Sequence, residues 1–206
     1  IGAGTGNLTQ VLLQKAEQVI AVEFDRALVE ILKSRWSAKP NHRSKTPHII
    51  QADILSWDWS ILSQNRVKVI GNLPYNIATR IISRLTEVTR WIDSCTLMVQ
   101  KEVANRLSAQ PATKDYGFFT LLLQYHFQCI PGFDIPPGVF TPKPQVMSHV
   151  VKLIPQAPPS QVPDYVAFVA LLKNAFQERR KTLWNNLKKQ HDTSRLRKAF
   201  ADCDIE

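Results

Sequence analysis

The stretch "IGAGTGNL", residues 1–8, decides the fold class because three glycines are interleaved with small residues directly before a helical pattern. Gly2, Gly4 and Gly6 let the backbone approach a ligand closely, and a helix that begins near Asn7 presents its amide groups to a negatively charged group. A dinucleotide-binding fingerprint would require its third glycine at position 7, where this chain has Asn7. The G-x-G-x-G spacing therefore predicts a ligand-binding turn between a strand and a helix, although on its own it also suits a merely tight turn.

Helical and strand-like patterns alternate after this motif. Periodicity predicts helices at 8–15, 26–36 and 78–88 and strands at 19–22, 48–51, 67–70 and 96–99, with a charged loop at 39–45. Strands that alternate with helices pair in parallel. This part of the chain therefore predicts a doubly wound α/β sheet.

The pattern changes beyond residue 120. Strands are predicted at 121–130 and 149–153, and the proline-rich stretch 136–144 between them has no room for a crossover helix, so we expect an antiparallel hairpin at the edge of the sheet. A linker at 155–163 and helices at 165–177, 182–190 and 194–202 follow. We therefore predict two units, residues 1–155 with the sheet and residues 156–206 as a small all-helical domain.

Positive charge is concentrated near the C-terminus. The net charge of the chain is +9, and residues 173–198 contribute +7 of it, since they hold nine Lys or Arg residues against Glu178 and Asp192. Neutralising phosphates releases counterions and gives sequence-independent affinity, so the helical unit suits a phosphate-rich partner such as RNA. A solvated helix face is the alternative.

The composition argues against several other classes. Cys95, Cys129 and Cys203 are odd in number and far apart, which predicts a reducing compartment such as the cytoplasm and no structural disulfides. The five histidines show no metal-ligand spacing, so we expect no metal, and no apolar run approaches the ~20 residues of a membrane span. Because Ile1 already lies inside a motif, we expect upstream sequence to precede it, and the sequence does not reveal whether it includes a targeting segment.

Acidic residues follow two of the predicted strands. Glu23 lies about 20 residues after the glycines, where a carboxylate can accept hydrogen bonds from both hydroxyls of a ribose. Asp25 better fits the N-cap of the next helix. Asp53 follows the strand at 48–51 and can accept a hydrogen bond from an adenine amino group while Ile54 covers the ring; a plain turn residue is the alternative for Asp53.

The hexapeptide "GNLPYN", residues 71–76, follows the next strand. An adenine N6 amine is a poor nucleophile because its lone pair is delocalised into the ring. The side-chain oxygen of Asn72 and the backbone carbonyl of Leu73 can each accept one N–H and thereby turn the lone pair toward an electrophile. Pro74 stiffens the turn, and Tyr75 offers a face on which the base can stack. A plain strand-end turn is the alternative.

Seven segments together resemble the ribosomal RNA adenine N6,N6-dimethyltransferase family: GAGTGNLT, AVEFD, QADIL, GNLPYNI, LMVQKEVANRL, FTPKPQVMS and FQERRKTLWNNL. They occur in family order over residues 1 to about 189. The resemblance implies a Rossmann-like class I methyltransferase sheet, S-adenosylmethionine as methyl donor, and two adjacent adenosines near the 3′ end of small-subunit rRNA as substrate. It also implies a role in ribosome biogenesis and a monomeric protein.

The resemblance further implies roles for individual residues. The glycines would hold the methionine end of the donor, Phe140 would close the target pocket opposite Tyr75, and segment 100–106 would support packing and RNA backbone contacts, with a solvated helix face as its alternative. The implied donor-binding residues are Gly2, Gly4, Gly6, Glu23, Asp53, Ile54 and Asn72. The implied catalytic residues are Asn72, Leu73, Pro74, Tyr75 and Phe140. The residues expected to bind RNA are Arg179, Arg180, Lys181, Lys188 and Lys189.

The sequence departs from the family pattern in two places. Gln145 and Met147 stand where the family commonly has Lys and Asp, which leaves open how that loop grips RNA. The family's segment before the glycines is absent, so we expect weak donor binding. Three rivals stay open: a large-subunit rRNA methyltransferase of the macrolide-resistance type, a non-catalytic RNA-binding assembly or transcription factor, and a DNA adenine methyltransferase.

Overall fold

The computed structural model describes residues 1–37, 45–62 and 65–205 of the chain. The helices, in chain order, are α1 (Asn7–Lys15), α2 (Arg26–Ser37), α3 (Ala78–Glu87), α4 (Lys101–Leu107), α5 (Phe118–His126), α6 (Tyr165–Ala175), α7 (Leu183–Leu187) and α8 (Thr193–Asp202). The strands are β1 (Ile20–Glu23), β2 (His48–Gln51), β3 (Val67–Asn72), β4 (Ile92–Gln100), β5 (Phe127–Ile135) and β6 (Ser148–Pro155). The loop predicted at 39–45 lies, apart from Lys45, outside the described residues.

The strands form two hydrogen-bonded groups. β1 pairs in parallel with β2, and the other four strands follow the order β3-β4-β6-β5. β3 and β4 are parallel, whereas β6 is antiparallel to both of its neighbours. This arrangement confirms the predicted parallel sheet with an antiparallel hairpin at its edge.

The first two residues connect the two groups of strands. The amino nitrogen of Ile1 donates a hydrogen bond to the carbonyl oxygen of Ile70 on β3 (2.8 Å), and the amide of Gly2 donates to the carbonyl of Val22 on β1 (3.0 Å). The glycine loop therefore begins between β1 and β3. Because the carboxyl ends of parallel strands meet at one edge of a sheet, the segments that follow β1, β2 and β3 gather around this loop.

The core lies between the larger group of strands and the helices that cover it. On α3, the four buried apolar residues Ala78, Ile81, Ile82 and Leu85 recur at helical spacing and are each no more than 1% exposed. They belong to one apolar cluster with residues of β3, β4 and β6. The packing of α3 holds the turn between Asn72 and Ala78 in place.

The strand predicted at 121–130 is wrong in its first half, because residues 118–126 form α5 and β5 begins at Phe127. Thr120 Oγ1 accepts a hydrogen bond from the amide of Gly117 (3.2 Å), which supports the first turn of the helix. Leu123 is fully buried where α5 packs against α3 and α4. A continuous apolar run does not distinguish a buried helix from a buried strand by its periodicity, so the packing partners decide between them.

Three helices follow the linker as predicted, and α6 packs against α5 through aromatic rings. The ring centroids of Tyr125 and Phe168 are 4.7 Å apart, and His126 Nε2 lies 2.8 Å from the hydroxyl oxygen of Tyr165. Burial lowers the pKa of His126 below its ordinary value. The helices thus contact the sheet-bearing part directly, while the division into units at residues 155 and 156 stays a prediction.

We expect acidification to destabilise the fold through His126. Since its pKa is lowered in the folded state, its contribution to stability is fully present above the unfolded pKa of about 6.5 and is lost as the pH falls below that value. The melting temperature of the unmodified chain should therefore fall more steeply between about pH 7.5 and 5.5 than that of His126→Gln. Equal slopes for the unmodified chain and His126→Gln would contradict this account.

Candidate active site at the strand ends

The three glycines of the first motif all have left-handed backbone conformations. Their φ angles are +63° at Gly2, +57° at Gly4 and +87° at Gly6, a region that residues with a Cβ rarely adopt. A Cβ at Gly6 would stand 2.6 Å from the ring of Trp36, so this glycine also permits α2 to pack against the loop. A Cβ at Gly4 would meet no atom within 4 Å, so the backbone there is open to a ligand.

Glu23 ends β1 with a carboxylate that is held by backbone amides. Its Oε2 accepts a hydrogen bond from Gly4 N (2.8 Å), and its Oε1 accepts from Phe24 N (2.8 Å) and Asp25 N (3.0 Å). The residue is 8% exposed. A carboxylate has about four lone-pair positions, so at least one remains for a ligand. The structure brings the predicted glycine loop and the predicted acidic residue into direct contact.

Asp25 caps α2, as predicted, since its Oδ1 accepts hydrogen bonds from Ala27 N (2.7 Å) and Leu28 N (3.1 Å). Asp53 is a turn residue in the structure, and its contact with an adenine stays a prediction. Its Oδ1 accepts from Leu55 N (2.9 Å), which shapes a turn, and no described residue donates to its Oδ2.

β2 places Asp53 beside Glu23, because Ala52 N donates to the carbonyl of Glu23 (3.0 Å). Ile54 is only 7% exposed and belongs to the apolar core, so only an edge of its side chain can reach a ligand.

Asn72 ends β3 next to the glycine loop. A Cβ at Gly2 would stand 3.6 Å from the carbonyl oxygen of Asn72. Asn72 is exposed, whereas Leu73 is 1% exposed and its amide donates to the carbonyl of Met98 on β4 (3.0 Å). Among the described residues, none donates a hydrogen bond to the side-chain oxygen of Asn72 or to the carbonyl of Leu73. Two acceptors are thus available at one strand end.

Tyr75 is anchored at its hydroxyl by a residue that the sequence reasoning missed. The hydroxyl oxygen lies 2.6 Å from Ser148 Oγ at the start of β6, and Ser148 is completely buried. Pro74 accepts a hydrogen bond from Ile77 N (3.1 Å), which closes the turn before α3. Only the position of Ser148, directly after the proline-rich loop, hinted at its proximity to the site.

Phe140 is half-buried in that loop, and its amide donates to the carbonyl of Pro137 (3.2 Å). The loop is fastened at its end, where Lys101 N donates to the carbonyl of Met147 (2.9 Å). Beside it, Asp134 binds Lys101 Nζ (2.6 Å) and His149 Nδ1 (2.7 Å), and these hydrogen bonds, that of Lys101 first, hold the pKa of Asp134 below its ordinary value. Lys101 thus supports the loop from α4.

Segment 100–106 begins with the last residue of β4 and continues into α4. Val103 and Ala104 are buried, and Arg106 pairs with Glu102 on the other face of the helix. The predicted packing role is therefore visible in the structure. The contact with RNA stays a prediction.

The basic residues lie in turns rather than in helices. Arg179, Arg180 and Lys181 follow α6, and Lys188 and Lys189 follow α7; all five side chains are exposed. The extended helices predicted at 165–177 and 182–190 end earlier than expected.

A buried amide holds the first basic turn, and the sequence reasoning missed it. Asn186 is 2% exposed and donates to the carbonyls of Ala175 (2.9 Å) and Glu178 (3.1 Å). It also accepts a hydrogen bond from Glu178 N (3.1 Å). Arg179 donates to the carbonyl of Lys114, and Lys189 pairs with Glu178.

The chemistry available at the strand ends is that of carboxylates, an amide and aromatic rings. Burial raises the pKa of Cys95 to about 12 and that of Cys129 to about 11, so neither thiol is a ready nucleophile. Within residues 1–37, 45–62 and 65–205, no group of three His, Cys, Asp or Glu side chains is placed to hold a metal ion. The helices in these ranges are too short or too polar to cross a bilayer.

Comparison with known proteins gives consistent matches. The model of the family described as "Ribosomal RNA adenine dimethylase" matches residues 1–205. A protein of Francisella tularensis subsp. novicida, named ribosomal RNA small subunit methyltransferase A, is 39% identical over 191 residues, which cover 91% of this chain and 71% of that protein.

Solved structures have the same fold. A dimethyladenosine transferase from Plasmodium falciparum superposes with a TM-score of 0.77 at 27% identity, over 92% of this chain and 66% of that one. The 23S rRNA methyltransferase ErmE superposes with a TM-score of 0.70 at 22% identity, over 100% of this chain and 80% of that one. The second likeness shows the fold alone.

Alanine substitutions should separate the two constraints on the glycine loop. Gly6→Ala combines a strained φ with a clash against Trp36 and should lower the free energy of unfolding by about 2–5 kcal/mol, whereas Gly4→Ala adds only strain and should cost about 1–2 kcal/mol. Gly138→Ala, with an ordinary φ and open space around its Cβ, should change it by less than about 0.5 kcal/mol. Urea denaturation measures all three, and a Gly6→Ala protein as stable as Gly138→Ala would refute the clash.

Proposed function

Because the chain belongs to the ribosomal RNA adenine dimethylase family, we propose that it methylates two adjacent adenosines near the 3′ end of small-subunit rRNA during ribosome biogenesis. Membership in the family confirms the predicted class of enzyme, an S-adenosylmethionine-dependent rRNA adenine dimethyltransferase, and its cofactor. The observation that carries the proposal is the pair of available acceptors, the Asn72 side chain and the Leu73 carbonyl, next to the glycine loop.

The residues around the glycine loop fit the donor. S-adenosylmethionine supplies an electrophilic methyl group on a positively charged sulfur. We assign its methionine end to the loop of Gly2, Gly4 and Gly6, where the Gly4 backbone is open. We assign the ribose to the lone-pair position of Glu23 that the backbone amides leave free, and the adenine to Asp53 with the exposed edge of Ile54. Asn72 lies close enough to Gly2 to line the same cavity.

Asn72 and Leu73 act on the target amine. Each accepts one N–H of the adenine N6, which aligns the nitrogen lone pair with the methyl group for in-line displacement. Positioning of the two reactants accounts for most of the rate enhancement. No dedicated base is required, because a methylated, cationic amine is strongly acidic and can lose its proton to Asn72, a carbonyl or water. Because no base is required, the site can have an amide at a position where a histidine or a carboxylate might be expected.

The aromatic rings hold the base outside its stack. Extrusion of an adenosine costs a few kcal/mol and is easiest in loops and unpaired ends of RNA. We assign Tyr75 to one face of the extruded base and Phe140 to the other, with Pro74 stiffening the turn that carries Tyr75. A second methylation requires the monomethylated amine to return with its one remaining N–H.

The basic turns bind RNA phosphates. Arg179, Arg180, Lys181, Lys188 and Lys189 are exposed in the turns that follow α6 and α7, and α6 contacts α5 directly. Their affinity for RNA would be independent of sequence, so the pocket selects the adenosine and the turns hold the RNA backbone.

We further propose a monomeric protein in the cytoplasm, on the basis of the family resemblance and the cysteine pattern.

One experiment separates the proposal from its rivals. Labelled donor is offered with small subunits that lack the dimethyladenosines, with large subunits and with duplex DNA, and the modified base is mapped. Label in two adjacent adenosines of the small-subunit rRNA supports the proposal. Label in large-subunit rRNA or in DNA supports one of the two methyltransferase rivals, and binding without any label supports the non-catalytic factor.

Removal of the Asn72 amide should abolish most of the turnover. For Asn72→Ala we expect kcat to fall about 100-fold or more, as for the loss of other preorganised polar groups that act on the reacting centre, while donor affinity changes little. Single-turnover methylation of small subunits measures the rate, and calorimetry measures donor binding. Asn76→Ala, at an exposed asparagine in the turn after β3 and four residues from Asn72, is the matched control and should keep near-normal turnover. Near-normal turnover in Asn72→Ala would show that the assigned role is wrong.

Reversal of charge in the basic turns should weaken RNA binding at all sequences. In the triple variant Arg180→Glu, Lys181→Glu and Lys188→Glu, we expect the slope of log K against log salt to decrease by about 1 for each phosphate that the variant no longer neutralises. A second triple variant, Lys15→Glu, Arg26→Glu and Lys33→Glu on α1 and α2, has the same net charge. Equal decreases in affinity in the two variants would assign the effect to net charge rather than to the turns.

A further inference from the structure

We propose that Ser148 is a positioning residue for the methyl transfer: its buried hydroxyl fixes the orientation of the Tyr75 ring relative to the loop that carries Phe140. This inference rests on the proposed function, because it deepens the role of the same pocket. It assigns a task to a residue for which the sequence gave only a position, directly after the proline-rich loop.

Ser148 is a rigid support. It is 0% exposed and is the first residue of β6, which lies between β4 and β5 in the sheet. Its backbone is in register with Gln100 on β4 and with Ile135 on β5, so both neighbouring strands hold it. A hydroxyl in such a place has little freedom to move and can serve as a fixed anchor.

The hydrogen bond spans a strand of the sheet. Tyr75 lies in the turn after β3, and β4 separates β3 from β6. The Tyr75 hydroxyl nevertheless reaches Ser148 Oγ at 2.6 Å. The ring is therefore fixed at both ends, by its own backbone at the end of β3 and by β6 at its hydroxyl.

The same anchor ends the loop that carries Phe140. The chain runs from β5 through Phe140 to Met147, whose carbonyl is held by Lys101 N at 2.9 Å, and Ser148 follows at once. The next residue, His149, is held by Asp134 at 2.7 Å. Because the Tyr75 ring and the end of the Phe140 loop share one point of support, the distance between the two proposed stacking faces depends on Ser148.

The expected consequence is kinetic. A ring that is tethered at its hydroxyl keeps one orientation, whereas a ring without the tether can tilt and leave the target amine misaligned with the donor. The apolar face of the ring would remain, so the base would still bind. A hydroxyl pair that merely satisfied two polar groups would instead affect stability and leave the rate of transfer unchanged.

The test is a double-mutant cycle of Ser148→Ala, Tyr75→Phe and the two combined. Ser108→Ala is the matched control, since Ser108 is a partly buried serine at the end of α4 whose hydroxyl donates to the carbonyl of Ala104 at 3.1 Å. Three quantities are measured on each protein well below its melting temperature: the single-turnover rate on small subunits, the donor dissociation constant, and the fluorescence of 2-aminopurine placed at the target position of an RNA fragment.

We expect each single variant to transfer methyl groups about 10-fold more slowly, the effect of removing one hydrogen bond, and the double variant to be no slower than the slower single variant. Donor affinity should stay within about twofold, and Ser108→Ala should transfer at the normal rate. The 2-aminopurine signal on binding should differ from normal in both single variants. Tyr75→Phe removes the bond from the less buried side, so the cycle remains informative if Ser148→Ala folds poorly.

Two outcomes would overturn the role of Ser148 while leaving the proposed function intact: normal rates in both single variants of an otherwise active protein, or rate decreases that multiply to about 100-fold in the double variant. An unmodified protein that labels no small subunits would instead overturn the proposed function, and the role of Ser148 with it.

Discussion

The hydrogen bonds that place the glycine loop between β1 and β3 are the constraint on which the site depends. Gly2 N binds Val22 O, Ile1 N binds Ile70 O, and Gly4 N binds the carboxylate of Glu23. These contacts require a backbone with positive φ, because only then do successive amides turn toward the two strands. Once the loop is fixed there, the ends of the parallel strands supply every other residue of the proposed donor site.

The target side of the pocket has a different origin. Asn72 and Leu73 come from a parallel strand, but the loop opposite them belongs to the antiparallel hairpin of β5 and β6. β4 and β6 join the two parts through a ladder that runs from Cys95–Leu153 to Gln100–Ser148, and the hydrogen bond between Tyr75 and Ser148 adds a side-chain contact. In the proposed function, the parallel part holds the donor and the hairpin covers the base.

Two elements show where reading the sequence succeeded and where it failed. The helix α3 repeats apolar residues at helical spacing, and its predicted bounds of 78–88 agree with the observed Ala78–Glu87. The run at 118–130 is mostly apolar and has no clear period, so residues 121–126 were assigned to a strand although they form part of α5. The helices predicted at 165–177 and 182–190 likewise end earlier than expected, and Asn186 holds the first basic turn through the carbonyls of Ala175 and Glu178. A buried amide contact of this kind has no local signature.

The sequence by itself determined the order of strands and helices up to residue 99, the glycine loop, the acidic residue at the tip of β1, the cap at Asp25 and the family. Each of these depends on residue type and spacing along the chain, because backbone conformation and hydrophobic period are local properties. Only the tertiary structure decided that Glu23 binds Gly4, that Ile54 is mostly core, and that a serine 73 positions from Tyr75 holds its ring. Those contacts depend on how strands and helices pack, and distant residues leave no mark on the local pattern.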